Sequence, residues 1–174
     1  MRLFVAVEVP EQVRSAVAAA IAPARERAPR LRWVDPAKYH LTLVFLGSVE
    51  ESRVAGIAEA VSSSVQGVEQ FSLALDGRVG TFGRRVLWAG LAPSPQLSAV
   101  AGAVTASLRP VVAVPDGDRP FRAHLTLARA GREPVRARAA KGLAMPALTW
   151  TVERVVLLRS AGGYSVVEAF PLGA

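Results

Sequence analysis

Two copies of the tetrapeptide HLTL, His40 to Leu43 and His124 to Leu127, contain the only two histidines of the 174-residue chain. Histidine has an unperturbed pKa near 6.5, so it can act as acid or base at neutral pH. Two imidazoles placed across one phosphate can divide a transfer between them: one deprotonates an attacking hydroxyl or water, and the other protonates the leaving oxygen. Threonine hydroxyls beside them can donate hydrogen bonds to the non-bridging oxygens. H-x-T, present twice, supplies all four groups.

Such groups need a rigid mount, and a strand provides one. Successive strand side chains alternate faces, so His40 and Thr42 point one way while Leu41 and Leu43 point the other. The same alternation separates His124 and Thr126 from Leu125 and Leu127. Burying each leucine is worth roughly 1.5–3 kcal/mol and should hold the polar pair in place.

Other chemistries find less support. A metal hydrolase needs three or more ligands, and the two histidines lack an H-x-H, an H-x-x-x-H or a flanking carboxylate. A G-x-S-x-G nucleophile elbow and a Walker-type phosphate loop are both absent from the sequence. With no cysteine in the chain, thiolate sites and disulfides are excluded.

The elements around the motifs repeat in order. RLFVAVEV (Arg2 to Val9) reads as a buried strand, and a helix is expected from about Glu11 to Arg27. RWV and a turn at Asp35-Pro36 lead to the first HLTL. Helical spacing from Glu50 to Val65 follows, then a strand FSLAL (Phe71 to Leu75), a turn around Gly77 and a short second strand. From Arg84 the order begins again: the strand RRVLWAGL, a helix from Pro95 to Leu108, a Pro/Gly/Asp loop from Pro110 to Pro120 and the second HLTL. Beyond it the pattern suggests a weak helix over Val135 to Leu143, a strand LTWTVERVVLLRS from Leu148 and a last strand from Tyr164. The histidines lie 84 positions apart and the opening strands 82.

This agreement predicts a duplicated β-α-β-α-β-β unit, with approximate repeats 1–83 and 84–174 forming two pseudo-symmetric lobes of one domain, 1–174. The fold class expected is α+β: two largely antiparallel sheets facing a central cleft, with helices outside. Pseudo-two-fold packing would bring the two motifs to that cleft.

The composition is half apolar with a net charge of +7, and 19 of the 21 basic residues are arginine. Such charge favours anionic partners, although an arginine bias in coding would produce the same count. Glu8 and Pro10 interrupt the N-terminal apolar stretch before a signal sequence is complete, so a cytoplasmic protein without membrane association is expected; a monomer is expected as well.

HLTLVFLG, HLTLAR, the opening RLFVAVEVP and the closing FPL resemble the two-histidine (2H) phosphoesterase superfamily. Within it the similarity is to RNA 2′,3′-cyclic phosphodiesterases, formerly called 2′-5′ RNA ligases. The paired H-x-T motifs define the superfamily, while the W-V before the first and the L-A-R after the second point to the narrower family.

The resemblance implies no metal and no nucleotide cofactor. It implies hydrolysis of a terminal 2′,3′-cyclic phosphate to a 2′-phosphate on RNA ends or small nucleotides. His40 and His124 would be the acid-base pair, Thr42 and Thr126 the phosphate donors, and Arg129, five after His124, a phosphate-neutralising or water-orienting group. Strict alternation puts Arg129 on the leucine face, so it reaches a phosphate only if the strand ends, twists or bulges there. Phe45 holds the equivalent place in the first copy and is a candidate for base stacking, with core packing as the alternative. Trp33, Tyr39 and Phe121 carry the same two readings. Two rival functions remain: cleavage or ligation of other cyclic or 2′-5′ nucleotides, and a non-catalytic module that binds RNA ends.

Overall fold

Local signals mark the helices. In a computed structural model describing all 174 residues, α1 spans Glu11–Arg27, with Glu11 in its first turn and Arg25 and Arg27 in its last, which suits the helix dipole at both ends. Val13, Val17, Ile21 and Ala24 form its buried stripe. A one-turn 3₁₀ helix at Glu51–Arg53 leads into α2 (Val54–Val65), buried through Ile57, Ala58, Val61 and Val65. Helix α3 (Pro95–Leu108) opens with Ser94 accepting the Leu97 N–H and Pro95 in the first turn, a favourable N-terminal arrangement.

Nine strands form two sheets in which every pairing between strands is antiparallel. They are β1 (Arg2–Glu8), β2 (Arg32–Trp33), β3 (His40–Ser48), β4 (Phe71–Phe82), β5 (Val86–Leu91), β6 (His124–Arg129), β7 (Thr149–Val152), β8 (Arg154–Ser160) and β9 (Tyr164–Pro171). One sheet runs β3-β1-β8-β9 and the other β2-β6-β5-β4-β7. The architecture is the expected α+β arrangement of antiparallel sheets and helices. Sheet membership crosses the sequence midpoint: β4 joins β5 and β6, while β8 and β9 join β1 and β3. The stripes of all three helices and one face of both sheets merge into a single 40-residue apolar core. Phe4, Ala6, Val156 and Leu158 form a small separate cluster on the other face of the first sheet.

Three local expectations are corrected. Gly77 does not end a strand. It takes φ +85° inside the continuous β4, where the register shifts between Leu75 and Val79 and the Asp76 carboxylate accepts the Arg78 N–H. The strand continues because its first half pairs with β7 and its second with β5. The weak helix over 135–143 is only a 3₁₀ turn at Ala137–Ala139, since the Val135 N–H is bonded to the Arg84 carbonyl and Gly142 is at φ +75°. LTWTVERVVLLRS breaks at Glu153 into β7 and β8, which belong to different sheets. No helix is long and apolar enough to cross a membrane.

Candidate active site

Both HLTL motifs begin a strand, β3 and β6, and show the same burial order along their first six residues. Leu41, Leu43, Leu125 and Leu127 are buried in the core, and His40, Thr42, His124 and Thr126 are half-buried on the other side. The leucines thus anchor the motifs as alternation requires.

Alternation then fails at the same point in both copies. Against β1, Thr42 pairs with Ala6 and Val44 with Val5, so Leu43 is an extra residue. Against β5, Thr126 pairs with Trp88 and Ala128 with Leu87, so Leu127 is extra. Each is a β-bulge, which places two consecutive residues on the core side and reverses the parity beyond it. Val44 and Ala128 are accordingly buried, whereas Phe45 and Arg129 are exposed. Arg129 pairs with Val86, two residues from the Trp88 that pairs with Thr126. Arg129 therefore shares a face with His124 and Thr126, and Phe45 shares one with His40 and Thr42.

Both imidazoles are held the same way. His40 Nδ1 lies 2.8 Å from the Lys38 carbonyl and His124 Nδ1 lies 2.7 Å from the Arg122 carbonyl. A carbonyl only accepts, so each Nδ1 carries the proton and each Nε2 is presented as the reactive nitrogen. His40 Nε2 is 3.0 Å from Thr42 Oγ1. Aromatic rings wall both histidines: Phe4 and Tyr164 lie 4.8 and 5.1 Å from His40, and Phe82 lies 4.9 Å from His124, edge to face. The Arg122 guanidinium stacks 4.8 Å from Phe82. Residue types and spacing do not point to these supports. The carbonyls two residues before each histidine are visible as a repeated spacing, but the rings come from distant strands.

Burial holds the pKa of His40 below the ordinary imidazole value, and the charges of Arg129 and His124 act in the same direction while the Lys38 carbonyl opposes them. Burial likewise lowers His124, helped by Arg129 and Arg122 and opposed by the Arg122 carbonyl. Arg129 is thus close enough to act on both histidines, and His124 on His40. The unfolded chain, with imidazoles at their ordinary pKa, binds more protons than the folded one below that value, so stability falls as pH drops from about 6.5. Thermal melts between pH 7 and pH 5 should show this fall, and it should be smaller in a His40→Gln/His124→Gln variant. An unchanged slope in that variant would contradict the burial argument.

A cleft of about 660 Å³ is lined by Thr42, Phe45, Phe82, Phe121, Arg122 and His124, among others, with Arg109 and Arg119 also on its wall. His40 opens on a hollow of about 330 Å³ beside Lys38 and Tyr164. Phe45 is not core: it is 38 % exposed. Tyr39 is buried, and burial pushes its hydroxyl pKa up to about 12. Trp33 packs against the core with its indole N–H donated to the Ala28 carbonyl.

A family model described as the 2′-5′ RNA ligase superfamily matches residues 9–163. An RNA 2′,3′-cyclic phosphodiesterase of Thermus thermophilus is 32 % identical over 99 % of this chain and 90 % of its own length. One from Geobacillus stearothermophilus is 31 % identical over 97 % of this chain, which spans only 56 % of that relative. A Thermus thermophilus crystal structure superposes with a TM-score of 0.85 at 29 % identity, covering 99 % of this chain and 98 % of its own. Matched over most of its length in sequence and over nearly all of it in fold, the chain belongs to the 2′-5′ RNA ligase superfamily, the two-histidine phosphoesterases.

Proposed function

We propose that this chain hydrolyses the terminal 2′,3′-cyclic phosphate of RNA to a 2′-phosphate by two-histidine acid-base catalysis. The observation that carries this reading is the matched locking of both Nδ1–H groups on backbone carbonyls, which turns both Nε2 atoms away from the backbone, that of His40 toward the Thr42 hydroxyl. Homology to enzymes bearing that name supports the substrate class. His124 is the general base: two arginines oppose its protonation, so its Nε2 lone pair can take a proton from the attacking water. His40 is the acid: in its imidazolium form, with Nδ1–H still held by the Lys38 carbonyl, it gives its Nε2 proton to O3′ as the P–O3′ bond breaks. Thr42 and Thr126 donate to the non-bridging oxygens, and Arg129 offsets the charge that builds on the phosphorus oxygens. Phe45 offers a face for a base. The reaction takes place on one chain acting as a monomer in the cytoplasm.

The chain's own donors carry the transition-state charge in this mechanism. EDTA should therefore leave the rate of a dialysed preparation unchanged, as followed by chromatography of a cyclic-phosphate oligoribonucleotide. Loss of activity restored by a divalent ion would replace the proposed mechanism with a metal-assisted one. Running the same assay on a 2′-5′-linked dinucleotide and a small cyclic nucleotide separates the rival substrates, and binding without turnover of any of them would identify a module that only holds RNA ends.

A further inference from the structure

Arg129 does not stand alone on its sheet face. In the β2–β6 pairing Arg32 is directly opposite Arg129 and Trp33 opposite Ala128, and opposed residues share a face. Trp33 packs on the core and Ala128 is buried, which independently puts Arg32 on the other side, with Arg129. Arg32 donates its Nε–H to the Ala130 carbonyl at 3.0 Å, leaving its terminal nitrogens without a protein partner. Next to it, a Cβ on Gly131 would fall 2.5 Å from the Arg30 carbonyl oxygen, so 30–32 and 129–132 are pressed together. The Ala130 and Val135 N–H groups bond the Arg85 and Arg84 carbonyls. Six exposed arginines, 30, 32, 84, 85, 129 and 132, are therefore gathered at one end of this sheet.

Most arginines of the chain lack a carboxylate partner; what sets these six apart is that they are both unpaired and gathered around Arg129. Arg78, Arg109, Arg119 and Arg154 are each paired with a carboxylate, whereas none of these six forms a salt bridge. The nearest acids in sequence do not neutralise them: Asp35 caps the Ala37 N–H, and Glu133 makes no ion pair. Unpaired guanidinium groups continuous with a phosphate-binding arginine are suited to successive phosphates of a single strand, which they bind with release of counterions.

We propose that Arg32 and Arg132, flanked by Arg30 and Arg85, form a phosphate track that carries the RNA strand leading into the site, so that an oligoribonucleotide end is preferred over a free cyclic mononucleotide. This rests on the proposed activity, and the test keeps the two apart. The full chain and its Arg32→Gln/Arg132→Gln variant are assayed from ~50 to ~200 mM KCl on a cyclic-phosphate octaribonucleotide and on a 2′,3′-cyclic mononucleotide, and binding of a 2′-phosphate octamer is measured by fluorescence anisotropy. The variant should lose about tenfold or more in kcat/KM on the octamer, mostly through KM, with the salt slope of log K shallower by about 0.7 for each arginine. Mononucleotide turnover should not change, and Arg32→Lys/Arg132→Lys should restore much of the slope. An equal loss on both substrates, or an unaltered slope, overturns the track. If neither substrate is hydrolysed by the wild type but octamer binding loses its slope in the variant, the track stands and the activity reading falls.

Discussion

Replacing either His40 or His124 with alanine should lower turnover of a cyclic-phosphate oligoribonucleotide by about 10²–10⁴-fold, the usual contribution of one general acid or base. In the proposed mechanism each histidine performs a separate proton transfer in a single displacement, so neither can cover for the other. The double replacement should cost far less than the product of the two single losses, because removing one member already disables the unit. Both rings are half-buried beside Phe4, Tyr164 or Phe82, and glutamine replacements that keep more of the volume separate a chemical from a packing defect. Rates in single turnover, with thermal melts of each variant, make the check. Near-normal turnover in a folded double variant would remove the central claim.

Arg129→Ala should cost on the order of 10²-fold in kcat, comparable to removing one donor that stabilises developing charge, and it should also move the pH profile. Protonation of both free-enzyme histidines is shifted below the ordinary value, with Arg129 among the causes in each case. Since the proposed mechanism needs one imidazole protonated and one neutral, the kcat/KM optimum of the wild type should fall below about pH 6.5. Removing the arginine relieves both imidazoles of a like charge, raises both pKa values and moves the optimum upward. A merely structural arginine would lower activity without that displacement, and an unmoved optimum would assign Arg129 no part in the site's electrostatics. Arg129→Lys should keep most of the pH effect but recover less of the rate, because a point charge lacks the guanidinium fork.

Much of the fold and the site is legible in the amino-acid sequence. The paired H-x-T groups, the leucine anchors and the three helices follow from residue type and period alone, because alternation and the 3.6-residue repeat are local rules. The departures share a cause. Gly77 suggests a turn, but glycine with positive φ serves a bulge as well as a hairpin. Val135 to Leu143 has weakly helical spacing, yet the sheet claims the Val135 N–H. One apparent strand from Leu148 is two, because the chain crosses between sheets at Glu153. In each case the backbone's partners lie far away in sequence.

By itself the sequence offered two imidazoles and two hydroxyls as groups that could do chemistry, while Arg129 became a candidate only through the family resemblance. The tertiary structure decided which of them share a sheet face and which lie within electrostatic reach of one another. A strand read in isolation places Arg129 among the leucines, and no glycine or proline marks the departure from that rule. Only pairing with β1 and β5 shows the extra residue at Leu43 and Leu127. The core demands two consecutive apolar side chains there, and in meeting that demand the strand turns Phe45 and Arg129 to the histidine face. The exchange of β4 against β8 and β9 between the sheets is equally invisible in the residues, since a strand's own sequence specifies which face is buried but leaves its neighbour to be chosen by the packing of the whole chain.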